Sequence, residues 1–189
     1  MGFRDLLEGS SIVEESLSVN FDILERSVAS GHSPMVFTNL SDSPGHKAAV
    51  NVLTRKRLCE HFGLSAGDLI DILAWAMENP AEPILVPKED AEVMENSMEV
   101  VDLATLPIPW HYKEDGGRYQ SASIIIAEYG GQRNTSFHRQ LLKDGRHTVA
   151  RLVPRHLRTM VEGAEGQGDE IPIAVVNGAD PVVLLAGAM

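Results

Sequence analysis

Apolar residues recur along this chain at two periods, and the change from one to the other organises it. In the first third the helical period dominates. Phe3, Leu6 and Leu7 share one face of a short helix over Phe3–Glu8, and Phe21, Leu24 and Val28 do the same over Phe21–Ser30, where Gly31 supplies a stop. Thr54 is placed to cap a helix running to about Phe62, stopped by Gly63; Ser65 is placed to cap another over Ala66–Glu78, ended by Asn79-Pro80. In that helix Leu69, Ile70, Leu73, Ala74 and Met77 form a stripe that reads as core, and Trp75 reads as core with it. Short strands interleave: Ile12–Val19 with imperfect alternation, a buried Pro34–Thr38, and Ala48–Leu53, with turn chemistry at Ser41–Gly45.

The stretch 79–97 carries Pro80, Pro83 and Pro87 and an acidic run from Glu82 to Glu95, which reads as a solvated surface crossing. Leu103–Tyr119 is the longest irregular part, since Pro107, Pro109, Gly116 and Gly117 forbid a regular element. Loops of that length in compact domains are often functional. Beyond it the period shortens to two. Ser121–Glu128, Arg133–Leu142 and His147–Leu152 read as an antiparallel meander with turns at Tyr129–Gln132 and Asp144-Gly145. Pro154 opens a helix through His156, Leu157, Met160 and Val161; Ile171–Asn177 reads as a buried strand; Asp180-Pro181 opens a last helix. The fold class is α+β.

Composition narrows the functions open to such a fold. The 189 residues carry a net charge of −11, which argues against a general nucleic-acid binder. The charge is uneven, however. Arg133, Arg139, Lys143, Arg146, Arg151, Arg155 and Arg158 fall within 26 positions and hold 7 of the 16 Lys and Arg, with Asp144 the one acid among them. A local anion pocket is compatible with an acidic whole. The single cysteine, Cys59, excludes an internal disulfide and fits a reducing cytoplasm; it lacks the partners of a nucleophile. No apolar run reaches the roughly 18 residues of a membrane span, and no signal-peptide core is present, so a cytoplasmic protein without membrane contact is expected.

The densest candidate chemistry is Asn134-Thr135-Ser136-Phe137-His138-Arg139, with Arg155-His156 following. An amide oxygen and an imidazole can ligate a divalent ion, and a guanidinium can take phosphate or carboxylate oxygens two at a time. His138 alternates away from Arg139 and reads as solvent-facing or packed; His111 and Tyr112 read as exposed loop residues. Gly130-Gly131 reads as a turn, since no G-x-G-x-x-G follows a strand.

These segments resemble, in order, the UbiD family of decarboxylases, which use prenylated FMN. The resemblance is carried by Phe3–Leu7, by Pro34–Asn39 ("P-x-(apolar)-F-x-N"), by Asn51–Arg57 and by Asp102–Pro109 ("DL-x-x-LP"). It continues in Asp115–Tyr119 ("D-x-G-x-Y"), Asn134–Arg139 ("N-x-x-x-x-R") and Gly178–Pro181. It implies an N-terminal α/β segment over 1–100 and a split-β-barrel-like flavin-binding domain over 101–189. Asn134 and His156 would ligate a Mn²⁺ or Mg²⁺ ion, with K⁺ as a further candidate. Ser136, Phe137, Arg139 and Arg155 would join them in holding the cofactor. Arg139 would be the active-site arginine, polarising the flavin or holding substrate carboxylate. Arg155 stands where relatives often carry a Gln or another polar residue. A flavin prenyltransferase would supply the cofactor.

The family's third metal ligand, a Glu, and its catalytic Glu residues lie beyond the matched region. The chain therefore resembles the N-terminal part of such an enzyme: a fragment, a subunit completed by another polypeptide segment, or a degenerate relative. The implied reaction is non-oxidative decarboxylation of an unsaturated or aromatic acid, including a phosphorylated one as in archaeal isoprenoid synthesis, by a homo-oligomer or a completed assembly. A non-catalytic flavin- and metal-binding subunit, a flavin-reductase-like domain and a plain interaction domain are the alternatives.

Overall fold

The computed structural model describes residues 2–189; Met1, which opens the expected N-terminal segment, lies outside them. The first sheet joins β1 (Ser11–Val13), β2 (Met35–Phe37) and β3 (Ala48–Val50) in that order. β1 runs parallel to β2, so the chain must cross over, and α1 (Asp22–Ala29) lies in that connection. Val13, Val19, Ile23, Met35, Phe37 and Leu40 close the core beneath it. The strand expected over Ile12–Val19 shortens to β1, with Leu17 keeping only an isolated bridge to Leu40. Polar side chains explain the break. Asp22 accepts from the Ser18 amide at 2.8 Å and Asp42 from the Val19 amide at 3.1 Å, so these donors leave the ladder.

The next two helices form where the caps indicate. Thr54 accepts from the Arg57 amide to start α2 (Arg55–Phe62), and Gly63 ends it in the left-handed region. Ser65 and Asp68 bond each other's backbone amides at the start of α3 (Ala66–Glu78). The core assignment of the α3 stripe holds for Leu69 and Leu73, which pack with Leu6, Leu58, Phe3 and Phe62. It fails for Trp75, which is 63% exposed, and for Ile70, Ala74 and Met77. Trp75 is two positions beyond Leu73 and so turned to the opposite side of the helix. Segment 79–101 follows in the same exposed state, with Ile84, Leu85 and Val93 each more than four-fifths accessible.

The second half contains two antiparallel sheets. One has the order β6-β5-β9, from β5 (Ile124–Tyr129), β6 (Gln132–Phe137) and β9 (Ile173–Val176). The other has the order β4-β7-β8, from β4 (Tyr119–Gln120), β7 (Gln140–Leu142) and β8 (Thr148–Ala150). The single strand expected over Arg133–Leu142 is thus divided at His138-Arg139, where the chain leaves one sheet for the other. The α+β class stands, but among the described residues the sheets do not close into a barrel. β9, expected to be buried, is an edge strand with Ile173 and Val175 exposed.

Two helices cover opposite faces of the β6-β5-β9 sheet. α5 (Pro181–Ala188), capped by Asp180, packs Leu184 on Ile124 and Phe137, and Gly187 lies against Thr135 and Phe137. α4 (His156–Glu165) packs Leu157 and Met160 on Ile125 and Ala127. The beginning of the chain joins this unit: Phe3 packs with Ile124 and Leu184 and lies over Gly178. Gly178 has φ +69°, and a Cβ there would stand 3.3 Å from the Phe3 ring. The long loop is fixed from within. Arg118 donates to the carbonyls of Ala104 (2.9 Å), Leu106 (2.6 Å) and Ile108 (2.7 Å).

Candidate functional site

Register decides which side chains of β6 can act together. Asn134 stands opposite Ala127 and Ser136 opposite Ile125, so both belong to the face that α4 covers. Thr135 and Phe137 belong to the other face, and the Phe137 ring is taken up by the core beneath α5. Any flavin contact from Phe137 would therefore come through its backbone.

On the α4 face the polar groups form a continuous series. Asn134 Nδ2 donates to Ser136 Oγ at 2.7 Å. Ser136 Oγ is 2.9 Å from His138 Nε2, and His138 Nδ1 is 3.3 Å from the carbonyl oxygen of Arg151. His138 is 8% exposed, so of the two expected surroundings packing is the one found. Positions 134, 136 and 138 alternate with one period, and although β6 ends at Phe137, His138 joins the series as the chain leaves the sheet.

α4 begins on the same side. Arg155 is its N-cap and His156 its first residue; both are exposed, and no side chain caps the helix. Free first-turn amides and the helix dipole make this end favourable for an anion. Asn134 and His156 thus lie on one side of the sheet, β6 and α4 being in contact. A groove of about 370 Å³ flanks α4, lined by Leu152, Pro154, Arg158, Thr159 and Glu162, and Arg158 is held by Glu162 at 2.7 Å.

Arg139 belongs to a second group. It sits at the corner between the two sheets, and its guanidinium carbon is 4.7 Å from the centroid of the Tyr119 ring. Its Nη2 is 3.9 Å from Asp115 Oδ1. His111 lies nearby, half-buried. Burial lowers its pKa from the ordinary value, with Asp115 opposing the shift and Arg139 adding to it. So the irregular loop brings His111, Asp115 and Tyr119 to Arg139; Asp115 and Tyr119 belong to the D-x-G-x-Y segment of the resemblance, but the sequence pattern assigns none of the three to this site. The signal available was the loop's length. Tyr112 is exposed as expected, whereas His111, expected exposed with it, is partly buried.

The donor set tests the implied ion and flavin. With its nitrogen turned to Ser136, Asn134 has a free amide oxygen, and His156 has an accessible imidazole. Mixed oxygen and nitrogen donors suit Mn²⁺ or Mg²⁺, and phosphate oxygens fill further positions. The residues fit. Among the described residues no cluster of three or more His, Cys, Asp or Glu could hold a metal unaided.

Known proteins supply the remaining comparison. The profile of the UbiD 3-octaprenyl-4-hydroxybenzoate carboxy-lyase Rift-related domain matches residues 84–189. The chain is 33% identical over 195 residues to the anhydromevalonate phosphate decarboxylase of Methanosarcina mazei, covering 98% of this chain and 44% of that protein. It is 30% identical over 146 residues to ferulic acid decarboxylase 1 of Saccharomyces cerevisiae, covering 70% of this chain and 29% of that protein. Its fold matches the UbiD-class enzyme HmfF of Pelotomaculum thermopropionicum in complex with FMN with a TM-score of 0.91. That match has 28% identity over 99% of this chain and 44% of the enzyme. The chain therefore spans less than half the length of these relatives. With the profile covering more than half of the chain, and a relative 33% identical over 98% of it, the chain belongs to the UbiD family.

Proposed function

We propose that this chain is the cofactor-binding part of a prenylated-FMN-dependent decarboxylase acting on an unsaturated or aromatic carboxylic acid. The observation that carries the reading is the placement of Asn134 and Ser136 on the sheet face whose covering helix starts with Arg155-His156. In this reading residues 101–189 hold the cofactor and 1–100 support them. Asn134 Oδ1 and His156 ligate Mn²⁺ or Mg²⁺, with K⁺ as a further candidate. Arg155 and the first-turn amides of α4 receive phosphate, and the backbones of Ser136 and Phe137 border the flavin. Arg139, steadied by Tyr119 and Asp115, orients the substrate carboxylate for departure as carbon dioxide. When bound, the prenylated flavin supplies the electron sink for the pair released as that carbon–carbon bond breaks.

Returning a proton to the substrate carbon needs a positioned acid. The reading assigns it to a further polypeptide segment, in the same chain or in another subunit, because the chain spans under half of its relatives. A homo-oligomer and cofactor supply by a flavin prenyltransferase belong to the same reading. The seven basic residues of 133–158 and the relatives named for a phosphorylated acid favour such an acid as substrate.

The test is reconstitution of the 189-residue chain with Mn²⁺ and prenylated FMN. Expected are saturable binding with a prenylated-flavin spectrum and no carbon dioxide release until the completing polypeptide is added. Absence of flavin binding to a folded chain would sink the proposal. The incomplete span also favours one second reading, a non-catalytic binding subunit, and failure of every completing polypeptide to restore release would select it.

A further inference from the structure

The hydrogen-bonded series on the α4 face has a direction that chemistry alone fixes. Its last member, the Arg151 carbonyl oxygen, can only accept. The facing nitrogen, His138 Nδ1, must then carry the proton; the other tautomer would set two lone pairs against each other. In a neutral ring this leaves Nε2 as an acceptor, so the Ser136 hydroxyl donates to it across 2.9 Å. The one hydroxyl proton is now used, and Ser136 can offer Asn134 only lone pairs. The Asn134 group facing Ser136 at 2.7 Å is therefore the NH₂, and Oδ1 points the other way. A flipped amide would press its oxygen against an oxygen with no proton left to give.

We propose that His138 is a positioning residue. Through Ser136 it locks the Asn134 amide with its oxygen presented as a ligand, referenced to the backbone at Arg151. This rests on the reading that Asn134 ligates the ion. It goes further in assigning a task to a buried histidine outside the proposed ligand set. The arrangement sets amide orientation before any ligand arrives, so the site need not select one amide rotamer on binding. Outer partners of metal ligands typically matter by about 10–100-fold in affinity.

Two measurements on the full 189-residue chain test this. The first is long-range ¹H–¹⁵N NMR of the histidine rings without cofactor. The Nδ1–H tautomer of His138 is expected; the Nε2–H tautomer overturns the inference whatever binds.

The second is Mn²⁺ affinity in the presence of FMN, read by electron paramagnetic resonance. It compares the parent with Asn134→Ala, Ser136→Ala, His138→Phe and His138→Gln. His138→Phe fills the space without an acceptor and should weaken Mn²⁺ binding by about tenfold. His138→Gln can return an oxygen to the Nε2 position and should recover most of that loss. Ser136→Ala should match His138→Phe, and the double variant should be no worse than either alone, since both cut one series. Additive losses would point to general loosening and overturn the inference. So would full affinity in His138→Phe beside a loss in Asn134→Ala, while leaving the ligand role of Asn134 intact. Full affinity in Asn134→Ala, or no ion binding by the folded parent, removes the ligand reading and the inference with it.

Discussion

α3 and β5 both come from strongly apolar sequence, yet they end in opposite states. Around β5 apolar side chains are covered on both faces: Ile124 is fully buried beneath α5, and Ile125 and Ala127 are buried beneath α4. Along α3 and 79–101 the coverage is one-sided. Leu69 meets the core, while Ile70, Trp75, Ile84 and Leu85 stand open. Periodicity announces an apolar face; it does not announce what covers it. The sheet layer fixes its candidate side chains by register, whereas the α3 layer leaves large apolar side chains exposed.

Four experiments break or sharpen that contrast. Ile124→Ala, at the centre of the covered layer, should cost about 2–5 kcal/mol by urea denaturation. A loss under about 1 kcal/mol would mean that the sheet is held no better than α3. Arg118→Met should cost about 2 kcal/mol, because three carbonyls lose one charged donor. Limited proteolysis should then cut within 103–117, and unchanged resistance would argue against Arg118 as the loop's anchor.

A smaller effect depends on pH. Burial lowers the His111 pKa, so near pH 6.5 the unfolded chain takes up a proton that the folded chain refuses. The stability from His111 is thus complete above that pH and declines as pH falls through it, levelling below the folded value. Melting temperatures of the parent and His111→Gln should converge toward acid, and parallel curves would contradict the assignment. Trp75→Ala should give the least change, under about 0.5 kcal/mol, because its side chain is 63% exposed. A cost above about 1.5 kcal/mol would mean that this face is covered in solution.

Local chemistry was legible in the sequence wherever one residue decides the outcome. Thr54, Ser65 and Asp180 cap the helices they were expected to cap, and Gly63 stops α2. The turns around Gly130-Gly131 and Asp144-Gly145 separate paired strands. What stayed hidden needed a partner from elsewhere in the chain. The exit from one sheet into another at His138-Arg139 has no signature in alternation, since both strands continue the same pattern. The same limit hid the polarity of the Asn134–Ser136–His138 series, whose terminus is a carbonyl at residue 151, and the approach of Asp115 to Arg139.

Gly178 ties distant parts of the molecule through the absence of a side chain. Because the Phe3 ring would stand 3.3 Å from a Cβ there and the backbone has φ +69°, any larger residue at 178 must strain the backbone and push an aromatic from the far end of the sequence by a few tenths of an ångström. Saturation mutagenesis at this one codon should recover glycine almost exclusively among folded clones, with a compensating reduction at position 3 as the escape route.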